Sequence, residues 1–583
     1  MTAEPIASIL EKYISPDNHS GSDYFATLEE LVQLRKNAGE KERATPQKAI
    51  DDVYALLKDE LLTNTYPPVS EVKFGTSGWR GTLGKDIFVQ SVATVTCAIL
   101  QLFKQGEEDN AILEALGGLR FKDMQEKGCV VGFDNRFGGE LLALAVVNVL
   151  AANGVKVYYA GEATTGALSA SVLLHKAAFS INLTPSHNPM QYGGFKFNAA
   201  DAGPAAPVLT DCITSRARQY IKEGVNPFMS ASQDLQQPLS QLPNIVTEDA
   251  LDSWQKVVVN NQSTHGIEYT NLMEKLAANK DLVVCVDAVH GASRKYVSRL
   301  LGNPPQERLV LLRDTVDPTF DGIAPEPSSA NMKPTLETLA NRPEPLKIGA
   351  IIDPDGDRIR FTDGEVEISM NQFGAMAYHF IHEQKGKQGM VAKTVATSNL
   401  ANGIATKLDE EVFEPKVGFK EFKPVMGKAL VFFEESDGIS IIGHTPEKDA
   451  FIGLILAIDM VLTLGISLGA YLKQIEEEFG YYYPDRGGLL VSQSGDQLIT
   501  SLTQLEKYKQ GETVVVNDQP QTIARVIDID GRKMIFEDGS WIMIRPSGTE
   551  PKVRYYVEAR NPQNTAHLVK SAHSMLAETG VLP

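Results

Sequence analysis

Short apolar runs rich in β-branched and aromatic residues alternate with helical stretches along most of this 583-residue chain. "CVVGF" (129–133) is followed by "GGELLALAVVNVLAANG" and then by "VKVYYA". Runs without polar alternation suit strands buried on both faces, and a helix between two of them implies parallel pairing. The rhythm predicts α/β domains with largely parallel sheets. The length exceeds what one core organises, so several domains of about 100–150 residues are expected.

The two ends read differently. In residues 1–70, "YFATLEELVQLRKNAG" and "PQKAIDDVYALLKDELL" place apolar residues three and four apart, which predicts a helical extension. Near the other end, "TVVVN", "ARVIDIDG", "KMIFEDGSWIMIRPSG" and "VRYYVEAR" read as strands joined by Gly/Asp turns. The helix "NTAHLVKSAHSMLAETG", closed by Gly580, completes a small α+β domain. Breaks at "NTYPPVS", "QDLQQPLSQLPNI", "LANRPEPLK" and "EEFGYYYPDRGG" divide the chain into 1–70, 71–235, 236–345, 346–478 and 479–583.

Charge and cysteine usage narrow the partners. A net charge of −19 opposes non-specific binding to nucleic acid or an anionic membrane, and an anionic substrate then needs a local basic pocket. Cys97, Cys129, Cys212 and Cys285 are far apart and form no CxxC pair, as expected of reduced thiols in a cytoplasmic protein. "MTAEPIASILEKY" lacks the basic start and apolar stretch of a signal peptide. "FIGLILAIDMVLTLGISLGAYL" (451–472) is long enough to span a bilayer, but Asp459 in its middle costs ~2.5–3.5 kcal/mol for insertion. With its polar flanks it reads as a buried helix followed by a second one.

Five loops carry candidate chemistry, each after a short apolar run, where open α/β sheets gather ligands. In "TPSHNP" (184–189), Pro185 and Pro189 stiffen the chain around Ser186 and His187, as a capped turn or as the seat of a nucleophile. "DPDGDR" places Asp353, Asp355 and Asp357 at alternate positions, and three such carboxylates repel one another unless a cation joins them. An EF-hand would need Gly at Arg358 and Glu at Gly364, so that motif fails; a solvated acidic turn stays open. Three oxygen ligands leave positions free, as Mg²⁺ prefers when it also binds phosphate.

"RPSGTEPKVR" (545–554) offers Arg545, Lys552 and Arg554 as cations and Ser547 and Thr549 as hydroxyls around Gly548, a phosphate clamp or an ordinary hairpin loop. "VFFEESDGIS" sets Glu434, Glu435 and Ser436 at a strand end, where carboxylates can accept hydrogen bonds from sugar hydroxyls. "FGTSGWRG" (74–81) carries Thr76, Ser77 and Arg80 in a glycine-punctuated loop. These segments are expected to converge in a cleft between domains.

With these five motifs in this order, residues 70–583 closely resemble the α-D-phosphohexomutase family, which includes phosphoglucomutases and phosphomannomutases. The resemblance implies three similar mixed α/β domains and a C-terminal TATA-binding-protein-like α+β domain behind the helical extension. It implies that Ser186 is the serine phosphorylated in the active enzyme, and that Asp353, Asp355 and Asp357 bind Mg²⁺ with an oxygen of that phosphate. Glu434 and Ser436 match the sugar-contacting pair, with Gly418 and Arg358 also on the substrate side. Arg545, Ser547, Gly548, Thr549 and Arg554 match the loop gripping the phosphate that is not transferred. Lys196, in "GGFKFN", matches a proton-transferring lysine. His187, Arg80 and Lys448 match residues that assist near the phosphoserine or substrate.

The implied reaction interconverts glucose 1-phosphate and glucose 6-phosphate through glucose 1,6-bisphosphate, in a monomer or homodimer without nucleic-acid or membrane partners. "GGFKFNAADAGPA", and "EES" without a following "GH", resemble the phosphoglucomutases more than other branches. Glucose and mannose differ in one hydroxyl, worth about 1–3 kcal/mol of discrimination, so a phosphomannomutase or dual-specificity enzyme is the alternative, ahead of a phosphopentomutase. A phosphosugar hydrolase or non-catalytic phosphoprotein is the reading from another class; the retained serine, aspartates and phosphate loop argue against the second. Phe433, Ala450, Val417 and the proline-free "EATTGALS" (162–169) depart from the family pattern. None removes a catalytic group, but they bear on the shape of the sugar pocket.

Overall fold

Where an apolar run meets a helix in the sequence, the computed structural model places a strand under that helix. It describes residues 3–75, 78–230, 232–493, 495–547 and 552–582. The chain falls into two compact units, one formed by Met1–Ser263, Ile267–Glu365 and Gly443–Asp459, the other by Thr264–Gly266, Val366–Ile442 and Met460–Pro583.

The first unit opens with helices Ala3–Tyr13, Tyr24–Asn37 and Ala44–Thr63. Asp23 caps the second, its carboxylate accepting from the Ala26 N–H at 3.0 Å. Leu28, Leu31, Val53, Leu57 and Leu61 on these helices are fully buried and join the core of the first sheet. That sheet runs in space as Phe74–Gly75, Gly78–Thr82, Tyr192–Asn198, Phe179–Leu183, Cys129–Phe133, Val157–Glu162 and Ile245–Thr247. Cys129–Phe133 pairs in parallel with both neighbours, and its near-continuous burial suits that pairing. Tyr192–Asn198 is antiparallel to both of its own neighbours, so the sheet is mixed.

In the second sheet of this unit, Leu346–Ile352 lies between antiparallel Ile359–Thr362 and parallel Leu282–Asp287, with Leu309–Leu312 beyond. A boundary at 345 therefore cuts between hydrogen-bonded parallel strands, and the aspartate loop belongs with the second sheet, not with residues 366–478. Likewise Ile245–Thr247 pairs with Val157–Tyr159, across a boundary at 235. Parallel pairing joins segments whose connecting loops show no sign of it in their composition.

The second unit holds two sheets. One runs Val412–Phe413, Val391–Lys393, Val431–Glu434 and Gly438–Ile441. Phe433 is fully buried and packs on helix Met370–His379 at Gly374, where a Cβ would lie 2.2 Å from the ring. The alternation of a strand sends its ring into the core, on the face opposite to its neighbour Glu434. The other sheet is antiparallel: Tyr483–Leu490, Lys552–Ala559, Trp541–Pro546, Arg532–Phe536, Gln519–Ile527 and Thr513–Val516, with helix Pro562–Glu578 packed on it. The whole is three mixed α/β domains and a C-terminal α+β domain behind a helical extension.

Val417 packs in a cluster with Val395, Trp541 and Tyr556, so this departure is a core position between the last two domains. The apolar stretch at 451–472 forms helices Ala450–Leu464 and Leu468–Phe479, bent by 80° at their junction. Ile452, Leu454, Ile455 and Leu456 are fully buried. No single described helix is long and apolar enough to cross a membrane, although the bent pair reaches that length and apolarity together.

Candidate active site

In the first unit, strand Phe179–Leu183 ends in the loop that carries Ser186. Ser186 is buried and adopts φ +58°, a left-handed conformation that a non-glycine residue keeps only when its surroundings hold it. Those surroundings are explicit. The Ser186 N–H donates to Thr184 Oγ1 at 2.9 Å, and that hydroxyl donates to Asp134 Oδ2 at 2.7 Å. The buried Arg136 guanidinium donates to the carbonyls of Ser186 and Pro189, each at 2.7 Å, and to that of Asn188. Arg80, on Gly78–Thr82, donates to Asn188 Oδ1 at 2.8 Å.

Ser186 Oγ donates to Asp353 Oδ2 at 2.9 Å and lies 3.4 Å from His187 Nδ1. Asp353 Oδ1 accepts the N–H groups of Asp357 and Arg358, both at 3.0 Å, which folds the aspartate loop back on its strand. Gly356 allows that fold at φ +66°. The three aspartates are buried, with one carboxylate oxygen of each within 4.8 Å of the others. Lys196 Nζ reaches Asp355 Oδ2 at 2.6 Å and Asp357 Oδ2 at 2.8 Å, and Lys448 Nζ lies 3.3 Å from Asp357.

Burial and its two carboxylate neighbours push Asp353 well above the usual carboxylate range. Burial would raise Asp357 too, but Lys196, Lys448 and Arg358 outweigh it and hold that group well below. Burial opposes the charge on Lys196, yet Asp355 and Asp357 prevail and raise its pKa, so here it is an ammonium. Burial, then Arg358 and Arg80, depress His187, leaving a neutral ring that accepts from Arg358. Burial and Arg358 lower Arg80 to about 10.

The triad fits a hard divalent cation on its own evidence. Asp355 Oδ1 and Asp357 Oδ1 are buried without a hydrogen-bond partner, and an all-oxygen donor set is what Mg²⁺ takes. Chelation is expected to lower turnover at least about 100-fold, with recovery on adding Mg²⁺. D355N should need more Mg²⁺ for half-maximal rate in a titration against metal. Unchanged turnover in excess EDTA would remove the cation from the account.

In the second unit, Glu434 ends its strand buried, and Ser436 lies part-exposed in the turn to Gly438–Ile441. Glu435 anchors this turn from behind, accepting from Thr394 Oγ1 at 2.9 Å and Thr397 Oγ1 at 3.3 Å. Gly418, at φ +127° with nothing within 4 Å of where a Cβ would stand, precedes the short helix Phe419–Val425. Arg545 and Arg554 are direct cross-strand partners, two cations side by side. Asp530 Oδ2 lies 3.1 Å from Arg545 Nε and accepts the Val417 N–H at 3.0 Å. The Ser547 N–H donates to Lys552 O at 2.8 Å, closing the loop's base. Gly548 and Thr549, like Thr76 and Ser77, lie outside the described residues.

Several supporting residues carry no motif. Asp134 and Arg136 hold the serine loop; "FDNR" at the end of "CVVGF" is their only signal. Thr165, in the proline-free "EATTGALS", donates its N–H to Asp355 O and its hydroxyl to Asp355 Oδ2, both at 2.8 Å. Asn182 donates to that hydroxyl at 3.0 Å. Behind Lys448, Asp449 receives His444 at 2.6 Å and the Trp254 indole N–H. Ala450 N–H donates to Gly356 O at 3.0 Å, tying the Lys448 segment to the aspartate loop.

The structure joins a buried serine to a metal-capable carboxylate cluster within three α/β domains and an α+β domain, and comparison with known proteins gives the class. The phosphoglucomutase/phosphomannomutase models match in order: alpha/beta/alpha domain I at residues 71–223, domain II at 264–366, domain III at 369–479, and the C-terminal domain at 501–572. The chain belongs to the phosphoglucomutase/phosphomannomutase family and is a phosphohexose mutase, an isomerase. Phosphoglucomutase 1 of Drosophila melanogaster is 26% identical over 503 residues, covering 78% of this chain and 86% of that protein. Phosphoglucosamine/phosphogalactosamine mutase of Sulfurisphaera tokodaii is 25% identical over 500 residues, covering 85% and 97%. The open form of the Paramecium phosphoprotein pp63/parafusin, a phosphoglucomutase, shares the fold with a TM-score of 0.66 at 20% identity, covering 89% of this chain and 96% of that one.

Proposed function

We propose that this protein interconverts glucose 1-phosphate and glucose 6-phosphate, with phosphoserine 186 as the donor and glucose 1,6-bisphosphate as the intermediate. The observation that carries this reading is Ser186 Oγ, buried 2.9 Å from Asp353 in a carboxylate cluster with orphaned oxygens. In the first half-reaction the P–Oγ bond of phosphoserine 186 breaks, a P–O bond to the free sugar hydroxyl forms, and Ser186 Oγ gains a proton as that hydroxyl loses one. The bisphosphate then turns end for end and returns its other phosphoryl group to Ser186. Bound Mg²⁺ supplies charge neutralisation at the phosphoryl group.

The remaining work falls to this chain's residues. Arg80, His187 and Lys448 line the serine side, with Arg358 beside His187. Lys196, held as an ammonium by Asp355 and Asp357, contributes a buried cation and enters proton transfer as a donor rather than as the base. Glu434, Ser436 and Gly418 serve the sugar side of the substrate. Arg545, Ser547, Gly548, Thr549 and Arg554 grip the phosphate that stays, for which paired guanidinium groups are suited. The four cysteines, unpaired with one another, support a cytoplasmic location.

Phe433 supports a glucose pocket unaltered by that departure, since its ring points into the core at Gly374. The test is kcat/KM for glucose 1-phosphate against mannose 1-phosphate, with Mg²⁺ and a trace of hexose bisphosphate. A glucose preference above about tenfold is expected, the scale a single well-bonded hydroxyl supports. Comparable values would make the enzyme a dual-specificity mutase, and turnover of neither would sink the hexose assignment.

A further inference from the structure

Two routes lead from the helical extension to the loop that carries Ser186, and both end on Arg136. In the first, Tyr54 of helix Ala44–Thr63 stacks on Phe137, with ring centroids 4.3 Å apart and planes 25° from parallel. Phe137 follows Arg136 directly. In the second, Arg35, near the end of helix Tyr24–Asn37, is largely buried and makes a three-way clasp. Its Nη2 donates to Asp317 Oδ2 at 2.8 Å, Thr319 Oγ1 at 3.0 Å and Asp321 Oδ1 at 3.1 Å, while Nη1 donates to Gln47 at 2.7 Å. The clasped segment is strained: Phe320 and Asp321 are consecutive non-glycine residues at φ +51° and +50°. What that strain presents is the fully buried Phe320 ring, with the Arg136 guanidinium 4.8 Å from its centroid.

Arg136 thus has Phe137, braced by Tyr54, next to it in the chain and the Phe320 ring, on the segment clasped by Arg35, against its guanidinium. Its own hydrogen bonds go to the carbonyls of Ser186, Asn188 and Pro189. Ser186 is itself in the left-handed region, so its geometry depends on what grips its carbonyl. We propose that the N-terminal extension is a positioning element for the phosphate carrier, with Arg35 and Tyr54 setting the orientation of Ser186 through Arg136. This rests on the reading of Ser186 as the phosphate carrier. The Tyr54 hydroxyl is buried without a hydrogen-bond partner, so only its ring is used.

The test compares R35Q, Y54A, Y54F and S186A in the full-length protein. For each, kcat and KM for glucose 1-phosphate, transfer of ³²P from labelled glucose 1,6-bisphosphate to the protein, and Tm are measured. R35Q and Y54A are expected to lose about tenfold in kcat and in labelling rate, the scale of sub-ångström misplacement of a reacting group, with KM within about twofold. Y54F, which keeps the stacked ring, should match the parent protein. If Y54A does not fold, R35Q carries the test, because it keeps the helix and its apolar face. A lowered Tm with kcat and labelling retained in R35Q would overturn the inference while leaving Ser186 as carrier. Labelling that persists in S186A would instead overturn the reading on which it rests.

Discussion

Exchange of Ser186 for alanine is expected to lower hexose-phosphate turnover by about 10⁴-fold or more, the scale on which loss of a covalent nucleophile acts. The fold should survive it. The side chain's bond to Asp353 is lost, but the Ser186 N–H still reaches Thr184 and the carbonyl still receives Arg136. One hydrogen bond is worth about 1 kcal/mol, a Tm shift of only about 1 °C for a chain of this length. The assay is conversion of glucose 1-phosphate to glucose 6-phosphate with the bisphosphate present. Turnover within tenfold of the parent would mean that the phosphoryl group does not pass through this serine.

The second large effect lies at Gly194, on the strand beside the serine loop. A Cβ there would stand 2.2 Å from Thr184 O, 2.6 Å from Thr184 C and 2.7 Å from Pro185 N. All three are backbone atoms, so no rotamer change relieves the clash and the loop itself must move. G194A is expected to cost about 1–3 kcal/mol in denaturant unfolding, as overpacking does. It should lower kcat by about 100-fold, because the displaced segment is the one that orients Ser186. Gly224 is the control: it has φ +64° with nothing within 4 Å, and G224A should cost about 1 kcal/mol of backbone strain without changing kcat. Equal kcat in G194A and the parent would show that the serine loop tolerates displacement.

The reacting groups are legible in the sequence because their chemistry is local. Pro185 and Pro189 frame Ser186 within six residues, and Asp353, Asp355 and Asp357 follow at alternate positions after one apolar run. Strand and helix alternation likewise needs only neighbouring residues to be read. The supports are not legible, because each spans a long stretch of chain. Thr165 meets Asp355 across 190 residues and Arg136 meets Ser186 across 50. Neither carries a composition signal, since a threonine and an arginine after apolar runs are ordinary. A boundary at 345 puts the aspartate strand with the wrong sheet for a related reason: parallel pairing with Leu282–Asp287 leaves no mark in the intervening loops. Phe433 is the reverse case. Its position beside Glu434 suggests an altered sugar pocket, whereas strand alternation turns the ring onto Gly374.

The most direct test of the central claim is to incubate the protein with glucose 1,6-bisphosphate labelled with ³²P, digest it and locate the label by mass spectrometry. Phosphate is expected on Ser186, discharged by added glucose 1-phosphate, with label recovered in hexose bisphosphate and glucose 6-phosphate. Label on another residue, or release as inorganic phosphate without isomerisation of the sugar phosphate, would contradict it.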